Sequence, residues 1–168
     1  MESSTVKPLR LHLGSGRHPW PSNWTDVDIV GNPDTLSDVT DMPMFEDESA
    51  DEICAIHLFE HIPILKAVST LEEWCRILKV GGKLILEMPS MDKIAGLIHN
   101  GEQDLRLTML GIFGDAREND PYMLHQWCYT NDYIQSILET CGFSVSFEDP
   151  VFHIKKRDFR VIGVKNGR

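Results

Sequence analysis

An apolar run that breaks into glycines, Leu11-His12-Leu13-Gly14-Ser15-Gly16, followed at the end of the next apolar stretch by Asp28, admits few architectures. Such a run reads as a buried strand delivering its carboxyl end to a tight loop. Glycine there permits positive φ and lets a ligand approach the backbone closely. In an open α/β sheet, ligands sit outside the carboxyl ends of the strands, where the strand order reverses. An acid closing the second strand suits the paired hydroxyls of a ribose, so the two features together point to a nucleoside-type cofactor.

What is missing narrows the choice. A dinucleotide fingerprint requires a third glycine three positions after Gly16, opening a helix that holds the pyrophosphate. Here that position is Pro19, within Arg17-His18-Pro19-Trp20-Pro21, which is not a regular helix interior. No Gly-x-x-x-x-Gly-Lys-Ser/Thr phosphate loop occurs. A cofactor with adenine and ribose but no phosphate fits better, and S-adenosylmethionine is the common one.

The chain has 168 residues, the size of a single domain, here 1–168. A net charge of −10 disfavours nucleic acid as the primary partner, since that role rewards phosphate neutralisation. Lys155, Lys156, Arg157 and Arg160 form a local basic cluster that reads as a solvated strand entry. Cys54, Cys75, Cys128 and Cys141 form no Cys-x-x-Cys pair. No stretch has membrane-spanning length and no signal peptide is evident. A reducing cytoplasm is the compartment expected.

Strands are predicted at 9–13, 25–29, 36–39, 52–57, 83–88, 143–148 and 160–165. A helix starts at Pro63, carries an apolar stripe of Ile64, Val68, Leu71, Cys75 and Leu78 with a flanking Glu72–Arg76 pair, and ends at Gly81-Gly82. Short helices are expected at 91–99 and 104–113, and a last one from Thr130 to Gly142. Strands interleaved with helices indicate a mostly parallel α/β sheet. The last two strands lack a crossover helix and bring one antiparallel member.

The ordered motifs resemble a class I S-adenosylmethionine-dependent methyltransferase, with its Rossmann-like sheet. Leu11–Gly16 is similar to the family's first motif and Val27-Asp28-Ile29 to its second-strand acid. Asp38-Val39-Thr40-Asp41-Met42-Pro43 resembles the element in which an Asp precedes a proline by five residues. Ser49-Ala50-Asp51-Glu52-Ile53, His57-Leu58-Phe59-Glu60-His61 and Arg76-Ile77-Leu78-Lys79-Val80-Gly81-Gly82 follow "S-x-D-x-I … H-x-L-E-H … R-x-L-K-P-G-G", with Val80 in place of the proline. Glu139-Thr140-Cys141-Gly142-Phe143 matches "E-x-x-G-F". The resemblance implies that backbone at Leu13, Gly14, Ser15 and Gly16 lies against the methionine and ribose. It further implies that Asp28 accepts from the ribose hydroxyls, that Ile29 lines the adenine, and that Asp38 and the Val39 amide face the adenine edge. The resemblance also implies that His57 lies near the sulfonium and the acceptor.

Only twelve positions separate Gly16 from Asp28 and ten separate Asp28 from Asp38, too few for normal crossover helices. The first two helices are therefore expected to be shortened or absent, as in a compact subgroup with a later "H-x-W-x-F/Y-T" element, here His125-Gln126-Trp127-Cys128-Tyr129-Thr130. An apolar face left open in this way would favour a homodimer. Residues 91–128 remain for an acceptor site or lid.

Methyl transfer from a sulfonium needs alignment and exclusion of water more than a catalytic triad. A base is needed where the acceptor must lose a proton, and His57, His61 and His125 are the candidates. The expected activity is methylation of a small-molecule or sugar-type acceptor, with no metal. One alternative is a module that binds the cofactor without catalysis. A remote alternative is a zinc metallopeptidase, because residues 57–61 satisfy H-x-x-E-H. That signature requires helix across all five positions, and Pro63 disfavours helical geometry at Ile62. Asp120-Pro121-Tyr122 resembles part of the Asp-Pro-Pro-Tyr element of adenine methylases, but has one proline and follows the wrong strand.

Overall fold

A computed structural model describes residues 7–16, 21–115 and 120–167, so Pro19 and Trp20 lie outside the described residues. Seven strands form one sheet: β1 (Arg10–Leu13), β2 (Thr25–Asp28), β3 (Thr35–Leu36), β4 (Ala50–Ile56), β5 (Leu78–Pro89), β6 (Phe143–Glu148) and β7 (Asp158–Lys165). Their order is β3-β2-β1-β4-β5-β7-β6. β3 to β5 run parallel, while β7 lies antiparallel to both β5 and β6. The chain moves outward from β1 to β3 and returns to β4 on the other side of β1. The carboxyl ends of β1 and β4 therefore flank the switch point where a ligand belongs.

Among the described residues four α-helices complete the fold: α1 (Ile64–Ile77), α2 (Met91–His99), α3 (Met109–Phe113) and α4 (Asn131–Thr140). Among the described residues none lies between β1 and β4, as the short spacings require. No helix among the described residues is long and apolar enough to cross a membrane. Side chains alternate across a strand, and one set, including Leu11, Leu13, Val27, Ile53, Ala55, Leu84 and Leu86, joins α1 and α4 in a single apolar cluster. The other face is polar. His12 Nδ1 lies 2.7 Å from Asp26, Arg10 pairs with Glu52 at 3.3 Å, and Arg160 with Glu87 at 3.2 Å. The open face is thus tiled with charged pairs, with Ile85 and Ile162 partly buried between them, rather than apolar. The apolar motive for pairing two copies is absent there.

Four local expectations are corrected. Helix α1 ends at Ile77, not at the glycines, because Leu78 is already extended with ψ 140°. Gly81 (φ +78°) and Gly82 instead sit in a bulge of β5, between the Ala50–Leu78 and Glu52–Lys83 pairings. A Cβ on Gly82 would meet the Lys79 carbonyl at 2.8 Å. The buried stripe of α1 is Ala67, Thr70, Leu71, Trp74 and Ile77, leaving Val68 40% exposed. Trp74 sets that rotation: its ring is fully buried, 5.6 Å from Phe59, and its Nε1 donates to the Val39 carbonyl at 2.8 Å. Arg76 then reaches Glu73 and Asp47 rather than Glu72. In the 104–113 segment only Met109–Phe113 is helical. Asp104 Oδ1 accepts from the amides of Arg106 and Leu107 and so competes with a helical turn.

Candidate cofactor and catalytic site

β1 gives way to Gly14, whose φ of +72° is open to glycine, and whose added Cβ would sit 2.8 Å from Leu58. The Gly14 amide donates to the Val27 carbonyl at 2.9 Å, which binds the loop to β2. Asp28, at the end of β2, is 7% exposed. Its Oδ2 accepts from the Gly16 amide at 2.7 Å and its Oδ1 from the Val30 amide at 3.0 Å. The acid therefore shapes the glycine loop, and each oxygen keeps a further lone-pair direction. Asp38 is exposed and accepts from the Thr40 amide at 2.9 Å, which turns the chain away after a β3 of two residues.

These elements enclose a cavity of about 350 Å³ at the carboxyl edge of the sheet. Gly14, Asp28, Ile29, Asp38, Val39 and His57 all line it, as does His61. Leu13 is buried within β1, and Ser15 is buried in the loop beside the cavity. The residues the sequence reading missed are Val30, Leu58, Ile62, Pro63, Tyr122 and Met123. Tyr122 and Met123 come from a 3-10 turn, Pro121–Met123, capped by Asp120, whose side chain accepts from the Tyr122 amide. Their spatial approach across the chain leaves no local signal. A glycine bend, two carboxylates and an apolar lining fit an adenosine without a phosphate: the carboxylates can accept from hydroxyl and amino groups, while Ile29, Val30 and Val39 offer apolar contact. A larger cavity, about 790 Å³, opens among Glu72, Arg76, Cys141 and Lys165 at the opposite edge, away from the glycine loop.

His57 follows β4 with φ +50°, a left-handed conformation uncommon for a side-chain-bearing residue. Its Nδ1 lies 3.0 Å from Glu60 and its Nε2 3.2 Å from Asp158, both carboxylates buried. Burial works against charge on this ring, but the two carboxylates prevail and push its pKa up to about 9. Burial likewise opposes ionisation of Asp158, yet His57 and Arg157 hold it at about 2. His57 is therefore an imidazolium at neutral pH, with no lone pair to take a proton. The His153 ring packs against it, tilted by 37°, with centroids 4.0 Å apart.

His61 and His125 differ from it. His61 Nδ1 donates to the Leu124 carbonyl at 3.0 Å and His125 Nδ1 to the Gly111 carbonyl at 3.1 Å. Burial lowers the His125 pKa, which keeps that ring neutral. The neutral His125 ring then presents a bare Nε2. Trp127 is 44% exposed beside this pair, but does not line the cavity. Phe59–His61 forms a 3-10 turn and Ile62 is extended, so residues 57–61 are not one α-helical face and the peptidase arrangement is not built.

Comparison with known proteins agrees with this geometry. Residues 22–86 match the family model described as a methyltransferase domain. No curated protein matches the chain by sequence at significant similarity. A methyltransferase from Archaeoglobus fulgidus has a TM-score of 0.65 at 17% identity, covering 94% of this chain and 86% of that one. One from Methanosarcina mazei gives 0.66 at 15%, covering 96% and 94%. The 1,6-didemethyltoxoflavin-N1-methyltransferase of Burkholderia thailandensis, solved with its substrate and S-adenosylhomocysteine, gives 0.66 at 12%, covering 96% and 72%. By the family model over residues 22–86 and by fold, the chain is similar to class I S-adenosylmethionine-dependent methyltransferases.

Proposed function

We propose that the enzyme methylates a small-molecule or sugar-type acceptor that enters the cavity past Tyr122 and Met123. The observation that carries this reading is the convergence of Gly14, Asp28, Ile29, Asp38, Val39 and His57 on one cavity at the carboxyl edge. Its volume, about 350 Å³, is near the low end for ligand sites, so an acceptor beside the cofactor has to be small or reach in from the rim. Bound S-adenosylmethionine supplies an activated methyl group on a sulfonium. The chain's residues hold, orient and exclude water.

In this reading Asp28 accepts from the ribose hydroxyls and Asp38 with the Val39 amide addresses the adenine edge. Ile29 packs on the ring, and backbone at Leu13, Gly14, Ser15 and Gly16 borders the methionine and ribose. His57, fixed between Glu60 and Asp158, positions the mouth of β4. Any proton given up by the acceptor goes to His61 or His125, which keep an open nitrogen.

Asp28→Asn is the direct test. A lost charge-assisted hydrogen bond is worth roughly 1.5–3 kcal/mol, so affinity for S-adenosylhomocysteine by calorimetry should fall about tenfold or more. Because Asp28 also holds the loop amides, the melting temperature of the ligand-free variant is measured alongside. Unchanged affinity overturns the assignment of this acid. Cofactor binding with no methyl transfer to any of a panel of sugars and small metabolites would favour the non-catalytic module.

A further inference from the structure

Glu60 is 1% exposed, and neither of its carboxylate oxygens has a hydrogen-bond partner of good geometry. His57 Nδ1 lies 3.0 Å from Oε1 as a charge partner. Such a buried carboxylate is costly unless its remaining lone pairs are used. Two imidazoles stand beside it. The His61 and His125 rings meet edge to face with centroids 4.8 Å apart, and His125 Nε2 is 4.0 Å from Glu60 Oε1. One ligand atom from each of Glu60, His61 and His125 lies within 4.8 Å of the others. The backbone carbonyls of Leu124 and Gly111 fix both rings with the proton on Nδ1. That is how metal-binding histidines are oriented, with the second nitrogen left bare for the ion.

We propose that Glu60, His61 and His125 bind one divalent first-row cation, of the zinc or cobalt type. Two imidazoles and one carboxylate are a borderline donor set that suits such ions better than magnesium or calcium. Metal–ligand bonds of about 2.0–2.2 Å require the three atoms to draw in by about 1 Å, which side-chain rotation supplies. Three protein ligands leave a coordination position open, as in catalytic rather than structural sites.

The site adjoins the cofactor cavity, since His61 lines it. Resting on the methyltransferase reading, the open position takes an oxygen of the acceptor. With both Nε2 atoms on the ion, the cation replaces the histidine base: its charge eases loss of a hydroxyl proton to solvent water. The ligand set differs from the H-x-x-E-H signature, because His57 is engaged by Glu60 and Asp158 and His125 comes from a distant loop.

The test uses the full chain stripped with a chelator and titrated with Co²⁺ alone, followed by visible absorption, and with Zn²⁺ by calorimetry. One ion per chain is expected. Glu60→Gln, His61→Ala and His125→Ala should each weaken binding at least tenfold, while His99→Ala, an exposed histidine on α2, should leave it unchanged. Melting curves of the metal-free variants identify any that fail to fold, and His125→Ala, a loop residue, carries the test if Glu60→Gln does. Absence of a one-to-one site, or equal loss in His99→Ala, overturns the proposal. S-adenosylhomocysteine binding to the same stripped protein separates the two readings: retained cofactor binding without a metal site sinks the cation and leaves methyl transfer standing.

Discussion

Beneath α1 and α4 the sheet presents Leu11, Leu13, Val27, Ile53 and Leu84, all fully buried, whereas its other face carries His12, Asp26, Cys54 and Glu87 on the same strands and Arg160 on β7. The first face is held by apolar burial. The second, where crossover helices are missing, is held by charges paired sideways between strands. Glu87, at 0% exposure, accepts from the amides of Val151, Phe152 and His153 at 2.8–2.9 Å and from Arg160 at 3.2 Å, so a loop rather than a helix is tied across it. By alternation Asp28 lies on the same polar face as Asp26, one step nearer the glycine loop. A sheet stripped of two helices can stay folded on one core when the bare face satisfies its own polar groups, and that face ends in the acid proposed to hold the ribose.

The contrast predicts a ranking. Trp74→Ala removes the largest side chain of the covered face and leaves a cavity, so it should cost about 3–5 kcal/mol in denaturant unfolding. Glu87→Gln keeps the shape but removes the charge that anchors three amides and a guanidinium. It should cost about 2–3 kcal/mol, and a loss larger than that of Trp74→Ala would break the comparison by making the polar face the dominant one. Glu52→Ala, whose pair with Arg10 is about one-third exposed, should change stability by less than about 1 kcal/mol. A larger loss would show that even the rim pairs of the polar face act as one network.

Much of this was legible in local chemistry. Alternating apolar runs and glycine breaks mark the strands, and residues 143–148 and 91–99 fall where periodicity puts them. The short gaps before Asp28 and Asp38 foretell missing helices. The stripe of α1 was misread because a helix pattern does not say which of two overlapping faces meets the sheet, and the size of Trp74 decided it. The glycines at 81 and 82 look alike in sequence whether they stop a helix or bulge a strand, and only pairing with β4 distinguishes these.

The sequence by itself determined the class of sheet, the glycine loop and the acids at the ends of β2 and β3, since each depends on neighbours a few residues away. Tertiary structure alone decided what the histidines are. His57 becomes an imidazolium because Glu60 lies 3.0 Å from its Nδ1 and Asp158, from the far end of the chain, arrives 3.2 Å from its Nε2. His125 becomes a neutral ring beside Glu60 because its loop folds back onto the Phe59–His61 turn, the Gln126 amide donating to the Glu60 carbonyl at 2.8 Å. Charge state and ligand sets depend on through-space distance and burial, which a linear pattern does not encode.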